Sequence, residues 1–209
     1  MMGEMAKFLS VAGRATVAKF LDPIGAWLFR IGISPNAVTV LGTGAIVAGS
    51  VVFVARGQLL IGLIVITLAA FTDLIDGAMA RARGYASRFG ALLDSTMDRI
   101  ADGAVFAATA YWLAISGATT TAAAALACLV FAQVISYIKS RAESLGARCD
   151  VGLAERAERL IVLGVGGLLE IFHVPYGLAA AIWVLAVVSL FTIGQRMWHV
   201  RQQLTDGAT

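Results

Sequence analysis

Six apolar stretches dominate this 209-residue chain, and each is close to the length that crosses a membrane as a helix. A spanning helix needs about 20 largely apolar residues. The chain is 59% hydrophobic and 14% charged, its mean hydropathy is +0.85, and a soluble domain would carry about 25% charged residues. We therefore predict an all-α integral membrane protein with six transmembrane helices, at residues 37–55, 59–80, 89–115, 119–140, 157–172 and 176–195.

The segment before these stretches has a different pattern. Residues 6–31 place apolar side chains at helical spacing among four lysines and arginines, which is typical of an amphipathic helix lying on a membrane surface. The N-terminus lacks a long apolar core followed by a small-residue cleavage site, so we expect no cleavable signal peptide. We expect residues 1–209 to form a single membrane domain, with the surface helix followed by a six-helix domain at residues 37–196.

Lys and Arg are distributed unequally between the two sides of this six-helix arrangement. One side receives only Arg56, while the other receives the remaining basic loop and tail residues. The positive-inside rule then places both termini, and a site at that face, in the cytoplasm of a multi-pass cell-membrane protein. The net charge of +3 suits contact with anionic headgroups. Because the basic residues border apolar spans and are not interleaved with exposed aromatic side chains, we expect no nucleic-acid partner.

Four aspartates lie where the second and third predicted helices face each other. The apolar stretch 59–72 is too short to cross a membrane, so the second helix must continue through Asp73 and Asp76. Those two share a helix face at i, i+3 spacing, and Asp94 and Asp98 share one at i, i+4. The short connection between the helices makes them antiparallel neighbours, so the four carboxylates can converge on one cavity.

Such a group of carboxylates needs a counter-charge, since two of them about 6 Å apart repel by about 3 kcal/mol at an effective dielectric constant of 20. Carboxylates without His or Cys suit Mg²⁺ or Mn²⁺, and four can hold two ions, as in phosphoryl transfer. Gly77 and Ala80 leave the helix surface open to a ligand, and Arg81 offers a fork for phosphate. Polar contacts between helices, or an ion path in a transporter, are the alternatives.

The spacing Asp73-x2-Asp76-Gly77-x2-Ala80-Arg81-x8-Gly90-x3-Asp94-x3-Asp98 resembles the signature of CDP-alcohol phosphotransferases at all eight fixed positions. The resemblance implies a six-helix membrane enzyme, usually a homodimer, that moves a phosphoalcohol from a CDP-alcohol to an acceptor hydroxyl and releases CMP. It implies that Asp73, Asp76 and Asp94 bind divalent metal, and that Asp98 is the general base and also a ligand. On the nucleotide side the implied residues are Asn36 and Thr39 of "SPNAVT", Gly77, Ala80, Arg81 and Ser87, although "SPN" is equally suited to a turn and helix cap.

The basic stretch 136–160, together with residues 88–106, resembles actinobacterial phosphatidylinositol-phosphate synthases. That resemblance implies transfer of the phosphatidyl group from CDP-diacylglycerol to inositol 1-phosphate, giving phosphatidylinositol phosphate and CMP. The implied inositol-phosphate residues are Lys139, Arg141, Arg156, Arg159 and Arg196. A phosphatidylglycerophosphate synthase, which uses glycerol 3-phosphate, remains the alternative in the same family, and an ion transporter is a distant one. Asp102 lies outside the signature, where a hydrogen bond to the aspartate cluster or to another helix is expected.

Overall fold

A computed structural model describes residues 22–82 and 87–206, apart from the side chains of Asp73, residues 80–82 and Asp206. Every regular element in these residues is helical, so the all-α prediction is confirmed there. The elements are α1 (described at 22–30), α2 (Pro35–Val52), a 3-10 turn (Val54–Arg56), α3 (Leu59–Ala70), α4 (Thr72–Ala82), α5 (Arg88–Ile115), α6 (Thr119–Ser144), α7 (Arg156–Ile171) and α8 (Gly177–Asp206).

Each predicted span falls on helical structure, and the second span is divided between α3 and α4 by a turn at Phe71. Within the described ranges, four stretches are long and apolar enough to cross a membrane: Pro35–Arg56, Leu59–Met79, Thr119–Ser144 and Gly177–Thr205. Helix α5 has the length, at 28 residues, but it carries several charged side chains. Helix α7 has only 16 residues, which is a length of about 24 Å. Of the predicted surface helix, residues 6–21 lie outside the described part of the chain.

The described residues divide into two compact units. The first runs up to Ile46 and again from Val65 to Ile100. In it, α1 lies directly on α4, because Gly25 has no side chain and a Cβ there would be 2.8 Å from the backbone nitrogen of Met79. Gly42 of α2 likewise lies against the side chain of Thr72. The small residues therefore let two helices approach α4, the helix that carries the first half of the aspartate motif.

The second unit comprises Val47–Ile64 and the described chain from Ala101 onwards. Helix α8 packs against both α6 and α7, and Phe106, Cys128 and Ile182 are fully buried in this unit. Gly166 of α7 lets α8 approach, since a Cβ there would be 2.6 Å from the Cβ of Ala181. Small side chains at helix contacts of this kind are typical of membrane bundles, and they bring the ends of α6, α7 and α8 together around the loop that joins α6 to α7.

A tight turn ends the 3-10 segment after α2. Gly57 has φ +75° and its amide donates to the carbonyl of Val54 over 2.9 Å. A Cβ on Gly57 would lie 2.7 Å from Nε1 of Trp112. The position therefore excludes side chains for two reasons, backbone conformation and lack of space.

We expect Gly57→Ala to destabilise the protein more than Gly117→Ala. Gly117 also has a positive φ, +86°, but a Cβ there meets nothing within 4 Å. Both substitutions incur backbone strain of about 1–2 kcal/mol, and only Gly57→Ala adds overpacking of about 1–3 kcal/mol. Unfolding by denaturant in detergent micelles measures the difference. Equal losses in the two variants would contradict the contact with Trp112.

Candidate active site

The start of α2 is built by its "SPN" sequence. The Ser34 hydroxyl accepts a hydrogen bond from the Ala37 amide at 3.2 Å, and Pro35 occupies the first helical position, where its missing N–H leaves no orphan donor. The helix-cap interpretation is thus confirmed for Ser34. The cap fixes the direction of the first helical turns, from which Asn36 and Thr39 extend.

Thr39 contacts the first half of the aspartate motif. Its Oγ1 lies 2.5 Å from Oδ2 of Asp76, and also 3.1 Å from the carbonyl oxygen of Pro35. Both side chains are buried, Thr39 at 5% and Asp76 at 8% exposure. Two residues that different sequence motifs assign to the site therefore touch, and the hydroxyl donor orients one of the predicted metal ligands.

The start of α5 adds a second contact between these motifs. Ser87 caps the helix by accepting a hydrogen bond from the Gly90 amide at 2.8 Å. A Cβ on Gly90 would lie 2.8 Å from the Ser87 hydroxyl and 3.4 Å from Oδ1 of Asn36. The absent side chain at Gly90 therefore makes room for Ser87 and Asn36, both of which were predicted to bind the nucleotide.

The remaining signature residues are placed by the backbone of α4 and by α5. Asp94 is exposed and Asp98 half-buried, one helical turn apart on α5. Nη2 of Arg99 lies 3.8 Å from Oδ2 of Asp98, so a cation from the same helix reaches the predicted base. Gly77 is half-buried in α4. The side chains of Asp73, Ala80 and Arg81 lie outside the described residues, although their backbone belongs to α4.

These residues fit a hard divalent cation. Asp76 is a buried carboxylate whose Oδ2 faces the hydroxyl of Thr39, and carboxylate oxygens are ligands that hard cations prefer. The predicted donor set is all oxygen, which suits Mg²⁺ or Mn²⁺. Among the described side chains, which do not include that of Asp73, no three acidic, His or Cys residues are grouped to hold a metal ion.

The five basic residues predicted to bind the acceptor differ sharply in exposure. Arg159 is 1% and Arg196 3% exposed, whereas Arg141 is exposed and Lys139 and Arg156 are intermediate. Arg196 donates to the carbonyl of Val151 at 2.7 Å and to that of Ile135 at 2.9 Å. Arg196 therefore holds the protein's own backbone, in addition to any role towards a ligand.

These contacts belong to a set that fastens the loop between α6 and α7, residues 145–155. Oγ1 of Thr192 accepts hydrogen bonds from the amides of Leu153 and Ala154 at 3.3 and 3.2 Å. The side chain of Gln203 bonds both the amide and the carbonyl of Arg148, at 2.9 and 2.7 Å. Three side chains of α8, Thr192, Arg196 and Gln203, thus hold the loop in one conformation.

Asp102 lies in the same unit and is 1% exposed. Its Oδ2 is 2.5 Å from Nη2 of Arg159, and its Oδ1 is 3.6 Å from Nε of Arg156. Of the two partners expected for Asp102, the structure confirms another helix, namely α7. Glu155, the residue before α7, lies 3.4 Å from Arg196.

Sequence reasoning missed Thr192, Gln203 and Gly152. Gly152 has φ +140°, and a Cβ there would lie 2.8 Å from Cγ2 of Thr192 and 3.2 Å from Nε of Arg196. The signals that were available are weak: a glycine within a basic loop, and a polar residue one helical turn before Arg196. Neither indicates that α8 holds the loop, because the partners are about 40 to 55 residues apart.

Comparison with known proteins shows the family of this chain. Residues 32–194 match the family model described as CDP-alcohol phosphatidyltransferase. The chain belongs to that family. The match includes the helix starts at Pro35 and Arg88, the aspartates and the basic loop, so the signature and its surroundings are those of the family.

Several relatives are similar to the chain over most of its length. The phosphatidylinositol phosphate synthase of Mycobacteroides abscessus is 48% identical over 90% of this chain and 86% of its own. That of Streptomyces avermitilis is 47% identical over 95% and 84%. The crystal structure of the Mycobacterium tuberculosis phosphatidylinositol phosphate synthase with CDP-DAG bound matches with a TM-score of 0.84 and 45% identity, covering 87% of this chain and 94% of that one.

A second structure of the M. tuberculosis enzyme is similar to this chain and contains a metal. It is a complex with manganese and citrate, and it matches with a TM-score of 0.82 and 46% identity over 86% of this chain and 88% of that one. Manganese is one of the two cations, Mg²⁺ and Mn²⁺, that were predicted from the aspartate signature.

We expect Arg196→Met to expose Cys149 to thiol reagents. Cys149 is fully buried in the α6–α7 loop, where it packs with Ile138 and Val200, and this burial raises the pKa of its thiol. Loss of the buried charged hydrogen bonds, worth about 1.5–3 kcal/mol each, should raise the modification rate at least about tenfold by opening the loop. Mass spectrometry of N-ethylmaleimide-treated protein measures it.

The matched control is Arg201→Met, an arginine of the same helix that lies over the ring of Trp198 and should leave the rate unchanged. The positive charge of Arg196 lowers the pKa of Cys149, so its removal alone would reduce the reactive thiolate and slow the reaction. Faster labelling therefore reports exposure of the thiol. An unchanged or slower rate in Arg196→Met would show that Arg196 does not hold the loop closed.

Proposed function

We propose that this protein transfers the phosphatidyl group of CDP-diacylglycerol to a hydroxyl of inositol 1-phosphate, producing phosphatidylinositol phosphate and CMP. The observation that carries the proposal is the 48% identity to a phosphatidylinositol phosphate synthase over 90% of the chain. The complete eight-position signature between Asp73 and Asp98 supports the reaction type. The assignment of the acceptor rests on the basic residues of α6, α7 and α8.

Metal binding is assigned to Asp73, Asp76, Asp94 and Asp98, which together offer enough oxygen donors for two ions of Mg²⁺ or Mn²⁺. When bound there, divalent metal neutralises the diphosphate and the negative charge that develops on the departing CMP. Thr39 donates its hydroxyl proton to Asp76 and so keeps that carboxylate in one orientation. Substitution of Thr39 should therefore weaken metal binding without removing a ligand.

The nucleotide side of the donor is assigned to residues near the starts of α2 and α5 and on α4. Gly77 and Gly90 provide space, Arg81 supplies positive charge for the diphosphate, and the helix caps orient the polar groups. The full set is Asn36, Thr39, Gly77, Ala80, Arg81 and Ser87. The contacts of Thr39 with Asp76, and the closeness of Asn36 to Gly90, support a common role.

The chemical step needs one base on this chain. Asp98 accepts the proton of the acceptor hydroxyl, whose oxygen attacks the β-phosphorus of the donor. The bond from that phosphorus to the bridging oxygen breaks, and CMP leaves with the electron pair. Asp98 is half-buried, and its Oδ2 lies 3.8 Å from Nη2 of Arg99, which places a positive charge beside the proposed base.

The acceptor phosphate is assigned to Lys139, Arg141, Arg156, Arg159 and Arg196. The difference in exposure among these residues suggests two different roles. Lys139, Arg141 and Arg156 are accessible enough to meet a ligand directly, whereas the buried Arg159 and Arg196 shape the loop and contribute positive charge from below. Nζ of Lys139 is 3.2 Å from Oδ1 of Asp150. Because such solvent-accessible ion pairs are weak, an incoming phosphate can take the place of Asp150 as the partner of Lys139 at little cost.

We also propose the membrane arrangement that this reaction requires. Helices α5 and α7 join the four apolar stretches to give six crossings. Both termini and the site face the cytoplasm of the cell membrane, where the basic residues meet anionic headgroups. The protein works as a homodimer, as is usual in this family.

In an assay of purified protein, we expect CMP release from CDP-diacylglycerol to require Mg²⁺ or Mn²⁺ together with inositol 1-phosphate. Free inositol, tested in parallel, should give little product because it lacks the phosphate that the basic residues are proposed to bind. Glycerol 3-phosphate should also give little, because the relatives of this chain are phosphatidylinositol phosphate synthases. Thin-layer chromatography of the lipid product and quantification of CMP measure the outcome. Product from glycerol 3-phosphate alone would overturn the acceptor assignment.

We expect Asp98→Asn to lower kcat by about 10²–10⁴-fold, the usual contribution of a general base, without changing the thermal unfolding temperature. Glu170→Gln, a carboxylate at the opposite end of α7 from Arg156, is the matched control and should keep normal activity. If Asp98→Asn turns over at the wild-type rate, another group is the base.

A further inference from the structure

Asp102 is a charged group that the proposed reaction does not use. It lies on α5, is 1% exposed and faces the first turn of α7, where Arg156 and Arg159 begin that helix. Each carboxylate oxygen faces a different arginine, with 2.5 Å to Nη2 of Arg159 and 3.6 Å to Nε of Arg156. One carboxylate thus meets both cations.

The first turn of α7 is an unfavourable place for two arginines. The N-terminus of a helix carries a partial positive charge, so cations there are destabilised. Burial adds to this cost, because an unpaired guanidinium loses its hydration. Asp102 offsets both effects, and since two cations and one anion share the cluster, a net charge of +1 remains available to attract an anion.

The geometry also fixes the direction of the Arg159 guanidinium. Arg159 donates through Nη2 to Asp102 and through Nη1 to the carbonyl of Ala154 at 2.7 Å, so both ends of its fork are oriented. Arg156 faces Asp102 through its Nε edge. At 3.6 Å this contact is an ion pair, so the carboxylate holds the Arg156 guanidinium beside Arg159 by charge.

We propose that Asp102 is a positioning residue for the acceptor, which pairs with the buried Arg159 and places the accessible Arg156 towards the phosphate group of the substrate. The proposal rests on the function proposed above, in which Arg156 meets a phosphorylated alcohol directly and Arg159 contributes positive charge from beneath it. Asp102 itself touches only the arginines. Its effect is therefore on the affinity for the acceptor and not on the affinity for CDP-diacylglycerol or on the chemical step.

Three substitutions in the full-length protein separate positioning from simple structural support. Asp102→Asn keeps the volume and removes the charge. Asp102→Glu keeps the charge and adds one methylene to a tightly packed position. Thr109→Val removes a buried hydroxyl of the same helix that bonds the carbonyl of Val105, and it serves as the control for lost stability alone.

We expect Asp102→Asn to raise KM for inositol 1-phosphate by about tenfold, the size of one misaligned charged contact, with kcat and KM for CDP-diacylglycerol near the wild-type values. Asp102→Glu should retain a KM for inositol 1-phosphate close to wild type while its unfolding temperature falls. Thr109→Val should lower only the unfolding temperature. If KM for inositol 1-phosphate instead follows the unfolding temperature across the three variants, Asp102 is only structural and the proposal is overturned.

A double variant keeps the test decisive if Asp102→Asn does not fold. Asp102→Asn with Arg159→Met removes both charges of the most buried pair, which is far less disruptive than the removal of one. Its KM for inositol 1-phosphate should exceed that of Arg159→Met alone, since Arg156 has still lost its carboxylate. Equal KM values overturn the proposal. Absence of CMP release by the wild-type protein with every acceptor would instead refute the proposed function, an outcome independent of Asp102.

Discussion

Three charged side chains, Asp102, Arg159 and Arg196, lie almost completely out of water in the unit that contains α6, α7 and α8. Removing such groups from water costs several kcal/mol each unless good partners replace the hydration. Asp102 and Arg159 pair with each other, Arg196 lies 3.4 Å from Glu155, and the two arginines also donate to backbone carbonyls, those of Ala154, Val151 and Ile135. The conformation of the α6–α7 loop follows from this requirement, because its carbonyls must point where the guanidinium groups need them.

The same requirement acts on Asp76 in the other unit. A carboxylate at 8% exposure with a threonine hydroxyl at 2.5 Å is held in one orientation. For the four aspartates of the family signature, the counter-charge that we propose is divalent metal. The two units thus stabilise buried charge by different means: arginine pairing for Asp102, and in our proposal a metal ion for Asp76.

The aspartates illustrate how much of the site could be predicted from the sequence. Helical spacing was sufficient to group Asp73 with Asp76 and Asp94 with Asp98, because residues three or four apart share a helix face in any context. The span lengths were sufficient to place these acids within helices. In contrast, the partner of Asp102 was undetermined, since Arg159 is 57 residues away and helical periodicity gives no information at that range.

The sequence alone did not distinguish between the five basic residues that were predicted to bind the acceptor substrate. Each of them borders an apolar segment, and the charge pattern alone does not show which basic side chains are exposed to solvent and which are buried against a loop. Burial separated Arg159 and Arg196 from Arg141, and the contacts of Thr192 and Gln203 revealed that α8 holds the loop. These distinctions depend on how α6, α7 and α8 pack, through contacts such as that of Gly166 with Ala181.

The sequence by itself determined the helical, apolar character of the chain, its family signature and the spacing of its aspartates, because these depend on local composition and on the fixed geometry of a helix. Only the tertiary structure decided which charges pair. Asp102 joins the arginines of α7, Glu155 joins Arg196, and Thr39 joins Asp76. The physical reason is that the energy of a charge or hydrogen bond depends on distance and burial, which the chain acquires only when remote segments pack together.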